Sequence, residues 1–198
     1  MSIINVFLIG PMGAGKTAVG KQLARRLGWE FVDSDREIED RTGVDISFIF
    51  EKEGEEGFRQ RECKVIEDLT TRHNVVLATG GGAVLDSANR TVLAGRGYVV
   101  YLFASVDQQA ERTRTGRNRP LLNTEDPRAR LEELMEVRDP LYRQVADLVL
   151  HTDGQRVTQV AEEIHRNIKD SVQPGAGSFD PLSLIHISEP TRQYCQSR

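Results

Sequence analysis

GPMGAGKT, residues Gly10 to Thr17, follows the apolar run 3–9 without a gap and leads into a segment of amphipathic helix pattern. It matches G-x-x-x-x-G-K-[S/T], the loop in which Gly10, Gly13 and Gly15 let the backbone curl so that successive N–H groups point inward. Those amides, with the positive end of the helix that begins near Lys16, form a cradle for phosphate oxygens. Lys16 is expected to reach the β- and γ-phosphates, and the Thr17 hydroxyl to sit on Mg²⁺. A chance glycine-rich turn is the competing reading. The fixed positions, set between a strand and an amphipathic helix, weigh heavily against it, so the chain is expected to hold a nucleoside triphosphate.

Outward from the loop, β-prone apolar runs recur at 30–32, 75–78, 98–103 and 147–150, and a helix-patterned segment 157–168 follows the last. This alternation predicts an α/β fold, a parallel sheet with helices on both faces. Such sheets take ligands beyond the C-terminal ends of their strands. The first strand ends in the phosphate loop, the second in Asp33-Ser34-Asp35, and the third in Gly80-Gly81-Gly82. Ligand-binding chemistry from all of them is therefore expected in one crevice. Between the second and third strands, 37–42, 46–53 and 56–71 read as helices, an excursion long enough to form a substrate-covering subdomain. Segment 131–145 reads as another helix, broken by Pro140 or ending just before it.

At 198 residues the chain has room for one α/β domain and too little for two. Hydrophobic content of 38% with 28% charged residues is that of a globular protein and excludes a chain disordered throughout. No apolar stretch reaches bilayer-spanning length and the N-terminus has no signal-peptide pattern, so a cytoplasmic protein without membrane attachment is expected. A net charge of −4 argues against non-specific nucleic-acid binding. Cys63 and Cys195 lie far apart, and His73, His151, His165 and His186 have no triad or metal spacing, so neither disulfide nor zinc chemistry is suggested. Against the acidic balance, Arg112, Arg114, Arg117 and Arg119 crowd around Gly116, a pattern expected of a phosphate-facing loop. From about Ser171 the pattern dissolves, with Pro174, Gly175, Gly177 and Pro181 close together, and a loosely attached tail is expected. Its stretch LSLIHISEPTR, residues 182–192, is also what a common transposon-derived sequencing adapter encodes, which makes a read-through tail the expected origin.

Asp33 and Asp35 are carboxylates one residue apart at a strand end, so their side chains start on the same face. Asp33, nearer the phosphate loop, could hold Mg²⁺ through its water shell. Asp35 is then left to orient a substrate hydroxyl or accept its proton. Helix capping by Asp33, Ser34 or Asp35 is an alternative compatible with both roles. Three consecutive glycines carry a large backbone-entropy cost, which close approach of a ligand would explain; a flexible loop is the alternative. The third strand ends Ala78-Thr79-Gly80 with no acidic residue, which again directs the metal carboxylate to Asp33. Arg59 and Arg138 could clamp an anionic substrate, since guanidinium groups grip carboxylates bidentately.

GPMGAGKT, FVDSD (31–35), GFR (57–59), GGGAV (80–84), RPLL (119–122) and RDPLY (138–142), in this order and spacing, closely resemble shikimate kinase over residues 1–170. The resemblance implies a P-loop kinase of the nucleoside monophosphate kinase-like build, with a five-stranded parallel sheet in the order 2-3-1-4-5. It implies substrate-binding helices at about 34–62 and a lid at about 113–123. The implied reaction is ATP-dependent phosphorylation of the 3-hydroxyl of shikimate, with Mg²⁺ as cofactor and the enzyme a monomer. By the same resemblance, ATP would lie on Gly13, Ala14, Gly15, Lys16, Thr17 and Ala18, with Arg112 against adenine and Arg156 nearby. Thr17 and Asp33 would serve the metal. Asp35 would act as base or positioner, Arg59 and Arg138 would grip the substrate carboxylate, and Gly80, Gly81 and Gly82 would meet its hydroxyls. Ile46, Phe50 and Phe58 would line the apolar side, and Arg119 on the lid would stabilise the transferring phosphoryl group. A gluconate kinase of the same build is the nearest rival, and a catalytically silent nucleotide-dependent module the rival from another class.

Overall fold

The computed structural model describes residues 5–114 and 126–172. Five parallel strands lie in the order β2-β3-β1-β4-β5, as the resemblance implies: β1 Asn5–Ile9, β2 Glu30–Asp33, β3 Val75–Ala78, β4 Tyr98–Phe103 and β5 Leu148–His151. β1 sits at the centre with every residue buried, which is why its sequence is continuously apolar except for Asn5. Asn5 is fully enclosed, and its amide is satisfied by the carbonyl of Arg72 and the N–H of Val75.

Period-two alternation sorts the strand residues between two cores. Phe7 and Ile9 of β1 face a layer made by α2 (Ser34–Thr42), α3 (Ile46–Leu69), α4 (Ser87–Arg96) and α6 (Pro127–Val145). Val6 and Leu8 face α1 (Lys16–Leu27) and α7 (Val157–Val172). The remaining helix, α5 (Val106–Thr113), follows β4 and packs against α6.

Two elements depart from simple expectation. The segments expected as separate helices at 46–53 and 56–71 run as one element broken at Gly54, whose φ of 69° and ψ of −176° no helical residue adopts. In α6, Pro140 neither ends nor breaks the helix, which runs from Pro127 to Val145 under the cap of Asp126. An interior proline costs about 3 kcal/mol. Burial of Leu131 and Tyr142, each stabilising by roughly 1.5–3 kcal/mol, outweighs it. The helix must persist through Pro140 to deliver both Arg138 and Tyr142. α7 continues through Val172, covering the first residues of the segment expected to form a loose tail; 173–198 lie outside the described residues.

Candidate active site

The phosphate end of the crevice is the loop between β1 and α1. Gly15, at φ 90°, caps α1 in the left-handed conformation that glycine adopts without strain, and this turns the first helical amides toward the loop's interior. The Lys16 ammonium arches back over the loop, donating to the carbonyls of Gly10 at 2.7 Å and Pro11 at 2.9 Å. Thr17 Oγ1 donates to Asp33 Oδ2 at 2.8 Å, joining the start of α1 to the end of β2. The other oxygen of Asp33 accepts the Asp35 N–H at 3.1 Å, so Asp33 is the residue that caps α2. Arg112, from α5, donates to the carbonyl of Gly13 at 2.9 Å and to Oγ1 and the carbonyl of Thr152 at 3.3 and 3.2 Å. It thereby ties the outer turn of the loop to the end of β5. Ala14 is buried, Ala18 is exposed, and Arg156 is exposed just before α7, its N–H on the Gln159 side chain. Arg119 and residues 115–123 of the expected lid lie outside the described residues.

At the other end, Asp35, Arg59, Gly80, Gly81, Gly82 and Arg138 come together from α2, α3, the turn after β3, and α6. A Cβ imagined on Gly80 would stand 2.6 Å from both Asp35 Oδ1 and Glu62 Oε1. One on Gly82 would strike the Arg59 guanidinium, and one on Gly81 would come within 3.7 Å of Arg138 Nη1. Gly80 and Gly82 are therefore closely approached by the protein's own side chains, whereas a Cβ on Gly81 would make only ordinary contacts. Arg59 Nη1 donates to Glu62 Oε2 at 2.6 Å and Nη2 to Glu55 Oε1 at 2.9 Å. Ile46 and Phe50 are partly buried against the adjoining core and Phe58 is enclosed in it, the two rings 4.9 Å apart.

Burial and crowding of like charge set the titration here. Asp35 is pushed up to about 7, chiefly by burial and then by the nearby Glu62 and Asp33 carboxylates. Glu62, fully enclosed, is also raised by burial, against the pull of Arg59. Burial works against the Arg59 charge too, but its two glutamate partners hold it above the ordinary arginine range. Arg138 is depressed, first by burial and also by the neighbouring Arg59. Asp35 Oδ1, Glu62 Oε1 and Arg59 Nε are buried with no hydrogen-bond partner among the described residues. Buried polar atoms are rarely left so, and these converge on the glycine turn where two acceptors and a donor could meet a polar ligand.

Glu62, Ser34 and Tyr142 are site residues that inspection of the sequence did not single out. Glu62 lies three positions after Arg59, a spacing that pairs side chains on one helical face, and that was the available signal. Tyr142 belongs to the same RDPLY run as Arg138. Ser34 carried a signal only for capping, because its partner, the Gly80 N–H, is distant in sequence.

Known proteins match this arrangement. A family model described as shikimate kinase matches residues 12–169. The shikimate kinase of Thioalkalivibrio sulfidiphilus (strain HL-EbGR7) is 56% identical over 181 residues, spanning 89% of this chain and 95% of the relative. A solved shikimate kinase from Acinetobacter baumannii, in complex with shikimate, aligns at TM-score 0.84 and 50% identity over 85% of this chain and 94% of its own. A solved gluconokinase from Sinorhizobium meliloti 1021 aligns at TM-score 0.56 over 84% of this chain and 92% of its own, and its 20% identity establishes a shared fold alone.

Proposed function

This chain belongs to the shikimate kinase family, and on that footing we propose how its residues divide the work of the reaction. It transfers a phosphoryl group from ATP to shikimate, in the pathway that leads to the aromatic amino acids. The observation that carries the assignment of roles is the convergence of three unpartnered buried polar atoms on the glycine turn, next to a phosphate loop.

Phosphoryl transfer asks a protein for alignment, charge neutralisation and exclusion of water more than for covalent chemistry. The amides of Gly13 to Ala18 and the Lys16 ammonium receive the triphosphate, Lys16 exchanging its two loop carbonyls for phosphate oxygens. The hydrogen bonds of Arg112 lie in the guanidinium plane, which leaves a flat face for adenine to stack on. Arg156 stands at the nucleotide's outer edge. Arg119 is assigned to the charge on the transferring group, though it lies outside the described residues.

Thr17 Oγ1 and Asp33 Oδ2 are hard oxygen donors, and among the described residues no cluster of three or more metal-ligating side chains competes with them. That set fits Mg²⁺, which keeps several waters and takes few protein ligands, so Asp33 acts through water. When bound, the ion neutralises charge on the β- and γ-phosphates. Arg59 and Arg138 bind the shikimate carboxylate, with Arg59 held in place by Glu62 and Glu55. The amides of the glycine turn and Asp35 Oδ1 meet the ring hydroxyls. Asp35, pushed up to about 7 by burial, is suited to take the proton of the attacking 3-hydroxyl. Action as a monomer is proposed on the family resemblance. No described helix is long and apolar enough to cross a membrane, and a cytoplasmic site of action is proposed.

The test is ADP release by the purified protein with MgATP and shikimate, with gluconate, and with no acceptor. Release that depends on shikimate is expected. Release with gluconate alone would move the acceptor assignment to the rival sugar-acid kinase, and ATP binding without acceptor-dependent turnover would indicate a nucleotide-dependent binding module.

A further inference from the structure

The glycine turn is held by more than the ligand groups around it. The Gly80 N–H donates to Ser34 Oγ at 3.0 Å, and Ser34 is fully enclosed at the start of α2. On the other side the Tyr142 hydroxyl donates to the carbonyl of Gly81, and Arg138, four residues earlier on α6, interacts with the same hydroxyl. The Tyr142 ring is itself fixed, stacked at 4.8 Å on Tyr101, whose hydroxyl donates to Asp139 Oδ1 at 2.7 Å. Asp139 in turn accepts Arg143 Nε at 2.8 Å. β3 stands between β2, whose last residue Asp33 precedes Ser34, and β1, beyond which lies β4 with Tyr101, the ring on which Tyr142 stacks. The two hydroxyls therefore hold the Thr79–Gly80 and Gly81–Gly82 peptides, one on each side of the Gly80–Gly81 peptide.

We propose that Ser34 and Tyr142 are positioning residues for the acceptor, their hydroxyls fixing the Gly80 N–H and the Gly81 carbonyl at the two ends of the turn's first pair of glycines and, through Tyr142, the direction of Arg138. The proposal rests on the acceptor assignment given above. Glycine peptides have many accessible orientations, so a turn of three needs outside constraint to present its amides in one of them. Tyr142 is suited to the task because one oxygen can accept from the guanidinium and donate to the carbonyl at once. Removing it leaves the part-buried Gly81 carbonyl short of a partner and takes the hydroxyl away from Arg138, while the stacked ring and its packing stay.

The experiment is steady-state kinetics of Tyr142→Phe, Ser34→Ala and Ser34→Thr, with Arg138→Lys and the double variant Tyr142→Phe/Arg138→Lys. Thermal melts show that each is folded. Tyr142→Phe is expected to raise the KM for shikimate about tenfold, with the KM for ATP unchanged and kcat altered less. Ser34→Ala should act in the same direction, and Ser34→Thr, which keeps the hydroxyl, should restore it. The Tyr142 and Arg138 effects should fall short of additive, as for residues that act through one contact. Equal rises in both KM values, additive effects, or an unchanged shikimate KM in a folded Tyr142→Phe protein would overturn the proposal. A wild-type protein without shikimate-dependent ADP release would instead remove the acceptor assignment itself, so the two failures are distinct.

Discussion

At the phosphate end of the crevice, the groups proposed to bind are consecutive, Gly13 to Ala18, and would act largely through backbone N–H groups. At the acceptor end, the proposed groups, Asp35, Arg59, Gly80 to Gly82 and Arg138, arrive from separate elements and would act mainly through charged side chains. The first end needs a local conformation, and three glycines at positive φ, Gly10, Gly13 and Gly15, supply it. The second needs mutual neutralisation. Asp35 and Glu62 are both raised by burial, and Arg59 keeps its charge because two glutamates surround it. A site built from backbone is insensitive to pH and to most single side-chain changes. A site built from buried charges responds to each.

Asp35→Asn is the sharpest way to separate the two ends. Turnover should fall by about 10³-fold while ATP affinity is kept, read by ADP release and nucleotide titration. Its stability should also change with a definite sign. Between the ordinary aspartate value and about 7 the folded chain keeps a proton that the unfolded chain has lost, so wild-type stability falls as pH rises through that window. The asparagine variant should lose that part of the slope, so its stability should gain on wild type from pH 4.5 to pH 8 by at most about 3 kcal/mol, read as a relative rise in melting temperature. A parallel pair of melting curves across pH would sink the assignment of the proton to Asp35.

Lys16→Met should cost about 10²–10³-fold in kcat with little change in the KM for shikimate, since the lost charge serves the phosphates. A larger effect on shikimate than on turnover would dissolve the distinction between the ends. Arg59→Ala should act oppositely, raising the KM for shikimate by roughly 10–100-fold with the KM for ATP unchanged. It should also lower stability, because Glu62 is left buried without its partner. An unchanged shikimate KM would refute the clamp.

Gly80→Ala places a Cβ against Asp35 and Glu62, and should weaken shikimate binding about tenfold without altering ATP titration. Smallest of all, Arg112→Ala should raise the KM for ATP by about threefold to tenfold, since it removes one bond to the loop and a face for adenine. If shikimate affinity moved as much as ATP affinity, the two ends would be one mechanical unit.

The parts legible in the sequence were those whose physics is local. The phosphate loop, the strand ends and the sheet-and-helix alternation follow from glycine spacing and apolar runs, and the strand order 2-3-1-4-5 came through family resemblance before the structure displayed it. Pro140 was misleading because local propensity counts its cost and cannot see the burial of Tyr142 that offsets it. The glycine turn was recognised for the right property, close approach, but assigned to a ligand alone. Arg59, Asp35 and Glu62 approach it as well, from residues remote in sequence.

Sequence alone determined that a phosphate-binding loop follows the first strand, that two aspartates and three glycines end the next two, and which family these motifs resemble. Each of those facts is carried by neighbours along the chain. Only the tertiary structure decided that Glu62 shares the space of Asp35, that Ser34 and Tyr142 hold the glycine turn, and that Arg112 ties the loop to the end of β5. Charge burial and hydrogen-bond partnership depend on distances in space, and the chain order that encodes the loop contains no record of them until the sheet brings its strand ends together.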